Sequence, residues 1–483
     1  MLFVSLPRLD LLSSVPSDVD GVELRLDLMR SIDFDAIRLA LQGPHPIMLT
    51  LRGASSAHET LLEELLALAP PFFDLDCSMR PAFLERMLGS HPATKFVLSS
   101  HDAAHPMRYP AYTYKIATTT HSTLDALRQL VFAKRHSNEP VAKVLASEKS
   151  MILSQFASRH RRPCPTPEHN SQPSRARGWD GKMAQKGDFS GGRTFATGSN
   201  VSVICMGARA SFARVLGPVV GNRIDYACLD DANATAPGQI SVRELLDVYR
   251  YRSLTPATAI YGLIGDPVDH SIGHIYHNRA FQQRGKNAVY VKMPLSLAEL
   301  EEFWPLAQEL GIRALSVTRP LKEAIVSNAA INTIQLHPFG AHNTDGVAAL
   351  DAIERRESVQ DKRVVLLGAG GTARAIAMEA TRRGAKLWIL NRTAAKAKQL
   401  ASELGAAHGT LADLPDYDIL IQCTPAPLVV ERIPAHALVM DVVYAPRETP
   451  LLQAAINAGA RVIYGEELFE RQAARQQALW SCA

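Results

Sequence analysis

Short apolar runs alternate with amphipathic stretches along the first half of the chain. LFVSL (2–6), VELRL (22–26), IMLTL (47–51), FFDLD (72–76), KFVLSS (95–100), YTYKIA (112–117), VSVICM (201–206) and DYACLD (225–230) are short and β-rich, which predicts eight strands. Between them FDAIRLAL, ETLLEELLAL and HSTLDALRQLVF carry leucines at helical spacing, and Ser122 is a candidate N-cap with Asp125 three residues on. After the last strand, SVRELLDVYRY places Ser241 and Glu244 at capping-box spacing. Eight strands alternating with helices predict an α/β fold in which a (β/α)8 barrel comes first. One step resists. Residues 102–111, between the fifth and sixth strands, include Pro106 and Pro110 and are too short for an ordinary crossover helix, so the barrel is expected to be trimmed there.

Residues 136–200 break the pattern with Pro, Gly, Ser and scattered charge, and read as a flexible insertion between the sixth and seventh strands. After a linker at 251–258 a second α/β pattern begins at AIYGLIGDP, with further strands at AVYVKM, ALSVT and INTIQL, and a third block opens with KRVVLLGAGG. At 483 residues the chain has room for about three domains. Its 47% hydrophobic and 21% charged residues exclude wholesale disorder. The net charge of +4 is placed by one segment: residues 141–200 hold ten Lys/Arg and four Asp/Glu, which leaves 42 basic against 44 acidic residues elsewhere. The basic segment could serve a polyanion, yet it lacks aromatic interleaving or a nucleic-acid module, and a solvated loop is the preferred reading. Six dispersed cysteines without a CxxC pair give neither a metal-ligand spacing nor a disulfide framework. A start unlike a signal peptide and the lack of an apolar run near 18 residues set a cytoplasmic expectation.

The strongest physical signal is VVLLGAGGTARAIAMEA (364–380), a buried strand running through Gly368, Ala369, Gly370 and Gly371 into a helix opened by Thr372 and Ala373. Such a turn brings the backbone close to a pyrophosphate whose charge meets the helix N-terminus. The next strand, KLWIL, ends at Asn391, Arg392 and Thr393, with Lys396 beyond, where an NAD site usually carries an acid for the ribose hydroxyls. A cation with amide and hydroxyl groups suits a 2′-phosphate, so NADP(H) is favoured over NAD(H).

From residue 259 onward the chain resembles shikimate dehydrogenase. The resemblance is carried by YGLIGDPVDHSIGHIYHNRAF, SVTRPLKE, AINTI, HNTDG and the GAGG…NRT block, with DVVYAPRETPLL and GEELFERQA in the tail. It implies reversible transfer of hydride between NADPH and the carbonyl of 3-dehydroshikimate. Lys322 and Asp345 match the paired catalytic residues, able to deliver a proton to the developing alkoxide. Ser271, Thr318, Asn332 and Gln472 match positions that hold the substrate, and Tyr444 lies near that site in the family. Two departures stand out. The usual HSxSP motif is HSIGH here, with Gly273 and His274 replacing serine and proline. Only nine residues separate Lys322 from Asn332, where the family has room for a helix, so a looser wall behind the lysine is expected.

Residues 1–250 resemble type I 3-dehydroquinate dehydratase through VELRLD, LTLR, SSHD, YKIA, ICMG, FARVLG and APGQI. The resemblance implies that Lys115 forms a Schiff base with the substrate ketone and that His101 removes the acidified proton. Glu23, Arg25 and Arg52 fall near strand C-terminal ends, where barrel sites gather. Arg214 would pair with the substrate carboxylate, and Thr235 and Gln239 would complete a lid. Ala213 and Thr235 stand where serines are commoner.

Together these resemblances imply a bifunctional enzyme: dehydration of 3-dehydroquinate in the barrel, then NADPH-dependent reduction to shikimate. The expected domains are 1–250 for the barrel, 259–347 for substrate binding, 348–445 for a Rossmann-type NADP-binding domain, and 446–483 returning to the substrate lobe. Small-molecule substrates are expected, with no metal, nucleic-acid or membrane partner, and the oligomeric state stays open. Two other readings remain: a dehydrogenase, for shikimate or quinate, with an inactive barrel scaffold, or one tethered through a basic binding module.

Overall fold

The computed structural model describes residues 1–53, 58–101, 109, 111–137, 201–326 and 330–481. Most of the 136–200 insertion and most of the short link with Pro106 and Pro110 therefore lie outside the described residues. The first eight strands are β1 (Leu2–Leu6), β2 (Gly21–Arg25), β3 (Ile47–Thr50), β4 (Phe72–Asp76), β5 (Lys95–His101), β6 (Thr113–Thr119), β7 (Val201–Met206) and β8 (Asp225–Cys228). They form one parallel sheet in the order β7-β6-β5-β4-β3-β2-β1-β8, a nearly closed barrel. The compressed link does not disturb pairing: β5 and β6 run parallel with Val97 opposite Thr113 and His101 opposite Ala117.

Side chains bridge the remaining seam, between β7 and β8. Asn222 accepts from the Val203 N–H at 2.9 Å and donates to its carbonyl at 3.0 Å. The Ser202 hydroxyl oxygen accepts from the backbone N–H groups of Arg223 and Ile224. An asparagine amide imitates one rung of a strand, so it can close a sheet where the ladder stops.

Period-two alternation decides what fills the barrel. Phe3, Met48, Phe72, Val97, Ile204 and Tyr226 pack together as one internal layer, while the alternate residues face the surrounding helices. Ser122 does cap helix Thr123–His136, accepting from the Asp125 N–H at 3.1 Å. Ser241 likewise accepts from the Glu244 N–H.

The second half has two sheets. β9 (Ala259–Gly265), β10 (Ala288–Pro294), β11 (Ile312–Val317), β12 (Thr333–Leu336) and β13 (Phe339–His342) make a mixed sheet in the order β10-β9-β11-β12-β13. β14 (Arg363–Leu367), β15 (Lys386–Leu390), β16 (Ala407–Gly409), β17 (Ile419–Gln422), β18 (Leu438–Asp441) and β19 (Arg461–Ile463) form a parallel Rossmann-like sheet, ordered β16-β15-β14-β17-β18-β19. Helix Asp345–Glu354 crosses helix Gly371–Arg382 so closely that a Cβ at Gly346 would stand 2.3 Å from the Ala375 carbonyl oxygen. That contact explains the glycine of HNTDG.

The barrel and the mixed sheet share one apolar core. Polar ties join them too. Arg209, beyond β7, binds Asp266 at 2.8 Å and donates to the Pro294 carbonyl at 3.0 Å. Helix Thr123–His136 meets helix Leu300–Leu310 through the Arg128–Glu302 and Arg135–Glu309 ion pairs.

Candidate active sites

In the barrel the candidate lysine is buried. Lys115 is 1% exposed on β6 and its ammonium is bonded to Asp74, itself 4% exposed on β4. The ammonium also lies 5.1 Å from the Tyr226 ring centre. Glu23, from β2, accepts from the hydroxyls of Ser5 at 2.5 Å and Thr50 at 3.0 Å. Asp74 and Asp76 were not singled out from sequence, although FFDLD alternates Phe72, Asp74 and Asp76 on one face, an unusual inward placement of two acids.

Asp76 orients the second candidate. Its Oδ2 lies 3.4 Å from His101 Nδ1, and this pairing helps depress the carboxyl to about 2 against the opposing effect of burial. The other ring nitrogen of His101 is buried and has no hydrogen-bond partner among the described residues. A carboxylate behind one nitrogen leaves the other facing the chemistry.

Arg214 is buried, and among the described residues its Nε and Nη2 lack partners, as does Nε of Arg52. Burial pulls the Arg214 guanidinium below its usual pKa, with Arg52 nearby adding repulsion. Buried donors left unpaired are costly, so two guanidiniums held this way form a seat for an anion. Arg25 is placed differently from Arg214. It is ion-paired with Asp27 at 2.6 Å and donates to the Thr235 carbonyl at 3.1 Å, tying down the loop. Gln239 folds its carbonyl oxygen onto the N–H groups of Thr235 and Ala236, so it shapes that loop from within.

The second centre lines a cavity of about 270 Å³. Lys322 Nζ donates to Asp345 Oδ2 at 2.5 Å and to the Thr372 hydroxyl at 3.1 Å. Asn332 Nδ2 lies 2.7 Å from Asp345 Oδ1 and 2.9 Å from Gln472 Oε1. Ser271, Thr318 and Tyr444 line the same cavity, as do Tyr290, which the sequence placed only in an apolar strand, and Gln476, which it did not single out. Gln476 donates to the Asn332 carbonyl at 2.9 Å and accepts from Ser316 at 3.0 Å, bracing the asparagine. The wall behind Lys322 is not loose. Despite the missing helix, the Ile331 N–H donates to the Lys322 carbonyl at 2.8 Å, and Leu321 and Ile331 are buried beside it. The shortening is made good by a direct backbone clamp.

The glycine turn abuts this centre. Gly368 adopts φ +122°, a conformation side chains resist, and a Cβ at Gly371 would lie 3.3 Å from the Lys322 Cβ. Space over Gly370 is open, and it begins helix Gly371–Arg382 without a side-chain cap, so the first helical N–H groups stay available. Arg392, Thr393 and Lys396 are exposed at the end of β15, with Asn391 bonded to the Thr393 carbonyl at 3.0 Å. An open backbone cradle next to exposed cations fits a dinucleotide carrying an extra phosphate. Thr372 does more than flank the turn, since its hydroxyl meets Lys322 and Asp345. Among the described residues no group of three or more His, Cys, Asp or Glu is placed to hold a metal ion.

Family models match in three consecutive stretches: type I 3-dehydroquinase at 194–256, the shikimate dehydrogenase substrate binding domain at 263–344, and shikimate/quinate 5-dehydrogenase at 351–449. The shikimate biosynthesis protein AroDE of Chlamydia pneumoniae is 31% identical over 96% of this chain and 90% of its own length. The chain belongs to the bifunctional dehydroquinate dehydratase–shikimate dehydrogenase family. A chloroplastic bifunctional member from Arabidopsis thaliana is 33% identical over 56% of this chain and 52% of its own length. A crystal structure of shikimate dehydrogenase with NADP+ is 33% identical and covers 48% of this chain and 92% of its own, with a TM-score of 0.45. Gly273 opens helix Gly273–Gln283, and His274 stacks on Tyr249 at 5.8 Å and faces Glu244 at 3.6 Å, binding the two halves together.

Proposed function

We propose that the barrel dehydrates 3-dehydroquinate through Lys115 and that the second half reduces the product, 3-dehydroshikimate, to shikimate. The observation that carries this reading is the pair of lysines, each paired with its own buried carboxylate, at two separate centres of one chain. We assign the barrel to residues 1–250, the substrate lobe to 259–347 with 446–483, and the NADP-binding domain to 348–445.

In the barrel, the Lys115 amine attacks the ketone carbon, and loss of water gives an iminium that acidifies the neighbouring C–H. Asp74 receives the proton that the ammonium must first release. His101, backed by Asp76, takes the carbon-bound proton through its free nitrogen. It returns a proton to the departing hydroxyl, which leaves as water, and hydrolysis of the iminium frees Lys115. Arg214 and Arg52 hold the substrate carboxylate, with Glu23 and the Arg25-anchored loop at Thr235 and Gln239 around it.

In the second centre, NADPH, when bound, supplies the hydride. Gly368, Ala369, Gly370, Gly371 and Ala373 would hold the pyrophosphate, and Asn391, Arg392, Thr393 and Lys396 would hold the 2′-phosphate. Lys322 spends two N–H bonds on Asp345 and Thr372 and keeps a third for the substrate oxygen, to which it delivers a proton. Ser271, Thr318, Asn332, Tyr444 and Gln472 surround the ring. No helix among the described residues is long and apolar enough to cross a membrane. We assign the chain to the cytoplasm as part of this reading. Supplying 3-dehydroquinate and NADPH to the purified chain tests the reading. Shikimate is expected to accumulate, and NADPH consumption from 3-dehydroshikimate but never from 3-dehydroquinate would leave the barrel as a scaffold.

A further inference from the structure

One side of the dehydrogenase cavity is the turn from β9 into helix Gly273–Gln283, whose Pro267, His270, Ser271 and Gly273 line it. The middle of this turn is fixed from within its own half: Tyr444 donates to the His270 carbonyl at 3.3 Å and Lys292 to the Asp269 carbonyl at 3.4 Å. Both ends are fixed from the barrel. At the first, Arg209, just after β7, donates from Nη1 to Asp266 at 2.8 Å, while its Nη2 reaches the Pro294 carbonyl at 3.0 Å and Glu299 at 3.3 Å. At the second, buried His274 has Glu244 3.6 Å from its Nε2 and the Tyr249 ring stacked on it at 5.8 Å, 29° from parallel. Tyr249 is itself buried, and the imidazole beside Glu244 holds that carboxyl below its usual value, so the contact is made by a carboxylate. His274 is one of the two departures from HSxSP, and the tie to the barrel is what the departure provides.

We propose, on the dehydrogenase reading above, that Arg209 and Glu244 are positioning residues of the dehydrogenase: the barrel half holds both ends of the 266–274 turn in the geometry that receives the substrate. A turn that must be ordered at the moment of binding charges that ordering against affinity, and one already held does not. Releasing an end lowers the fraction of molecules with the turn in place, and the apparent affinity falls by that fraction. The proton-delivering pair is anchored separately, through Lys322, Asp345 and Thr372, so its geometry survives the release. The barrel therefore sets how tightly the second half takes its substrate, apart from any chemistry at Lys115.

The test follows shikimate oxidation by the full chain with NADP+. Arg209→Ala and Glu244→Ala are each expected to raise KM for shikimate about three- to fivefold, the scale of one partly exposed charge pair. Made together they should raise it roughly ten- to twentyfold, because the two ties are separate. Values of kcat and of KM for NADP+ should stay within about twofold of the parent, the pattern of lost binding without lost chemistry, and they show at once that each variant is folded. Arg135→Ala is the control. It removes the ion pair with Glu309, which joins the same two halves away from this turn, and should leave KM for shikimate within about twofold. An unchanged KM in either Arg209→Ala or Glu244→Ala overturns the tie at that end, and in both overturns the proposal. An equal rise in Arg135→Ala would reduce the effect to a loosened interface and overturns it too, as does a fall in kcat that matches the rise in KM. A parent chain that fails to oxidise shikimate would instead defeat the reading of the site itself, before any variant is made.

Discussion

The two lysine centres solve opposite problems. Around Lys115 charge is buried: Asp74 pairs with the lysine, Asp76 backs His101, and Arg214 keeps N–H groups that are unpaired among the described residues. Around Lys322 neutral polar groups dominate, with Asn332, Thr372, Gln472 and Gln476 spreading hydrogen bonds about a single carboxylate beside an open cavity. A covalent centre needs a nucleophile shielded from water and an anchor for an anionic substrate, so it concentrates charge. A centre whose own side chains deliver a proton, the hydride coming from the cofactor, needs a fixed donor with one bond to spare. The difference teaches that a lysine–aspartate pair does not define a chemistry; the neighbours decide it.

Removing the lysines breaks the comparison most severely. Lys115→Ala should lower dehydration of 3-dehydroquinate by roughly 10⁴-fold or more, since the covalent route vanishes. Its NADPH-dependent reduction of 3-dehydroshikimate should be unchanged, which separate assays of the two steps would read. Lys322→Ala should do the reverse, with reductase turnover falling roughly 10²- to 10⁴-fold, the range for general acid–base groups, while NADPH still binds. Loss of both activities in either variant would mean the centres are not independent.

A smaller effect concerns the cofactor. Arg392→Asp should weaken NADPH by roughly 10- to 100-fold relative to NADH, the cost of one charge-assisted bond, as steady-state KM values would show. An unaltered preference would place the 2′-phosphate elsewhere.

The smallest expected effect is on acid stability, where the two regions should differ in pH window. Asp76 has a depressed folded pKa of about 2, so its contribution is complete above the ordinary value of 3.8 and fades as pH falls toward 2. His277, held neutral by burial with a folded value of about 3, is stabilising above 6.5 and loses ground below it, because the unfolded chain takes up the proton first. Thermal melts should show His277→Gln flattening the decline between about pH 6.5 and 3, and Asp76→Asn flattening only the stretch below about pH 4. Identical profiles for both variants would remove the distinction.

Much of this was legible in the chain. Strand positions followed from short apolar runs because parallel strands buried on both faces leave little room for polar residues. The lysines, His101 and the glycine turn stood out as motif residues in order. Their partners did not. Asp74 reaches Lys115 across strands 41 residues apart in sequence, a pairing set by register that no local pattern reveals. Glu244 read as half of a capping box, yet its backbone alone serves the cap and its carboxylate turns to His274 in the other half of the chain. Tyr290 hid in an apolar strand because a buried phenol and a buried phenyl look alike in a hydrophobic pattern. The shortened loop after Lys322 suggested a looser wall, and only the backbone bond from Ile331 corrected it.

The account depends most on the barrel being a working covalent centre. Incubating the folded chain with 3-dehydroquinate and borohydride, followed by peptide mass analysis, tests that directly. One reduced substrate adduct on Lys115, absent from Lys115→Ala, is the predicted result. No adduct on Lys115 in a sample that still oxidises shikimate with NADP+ would contradict it.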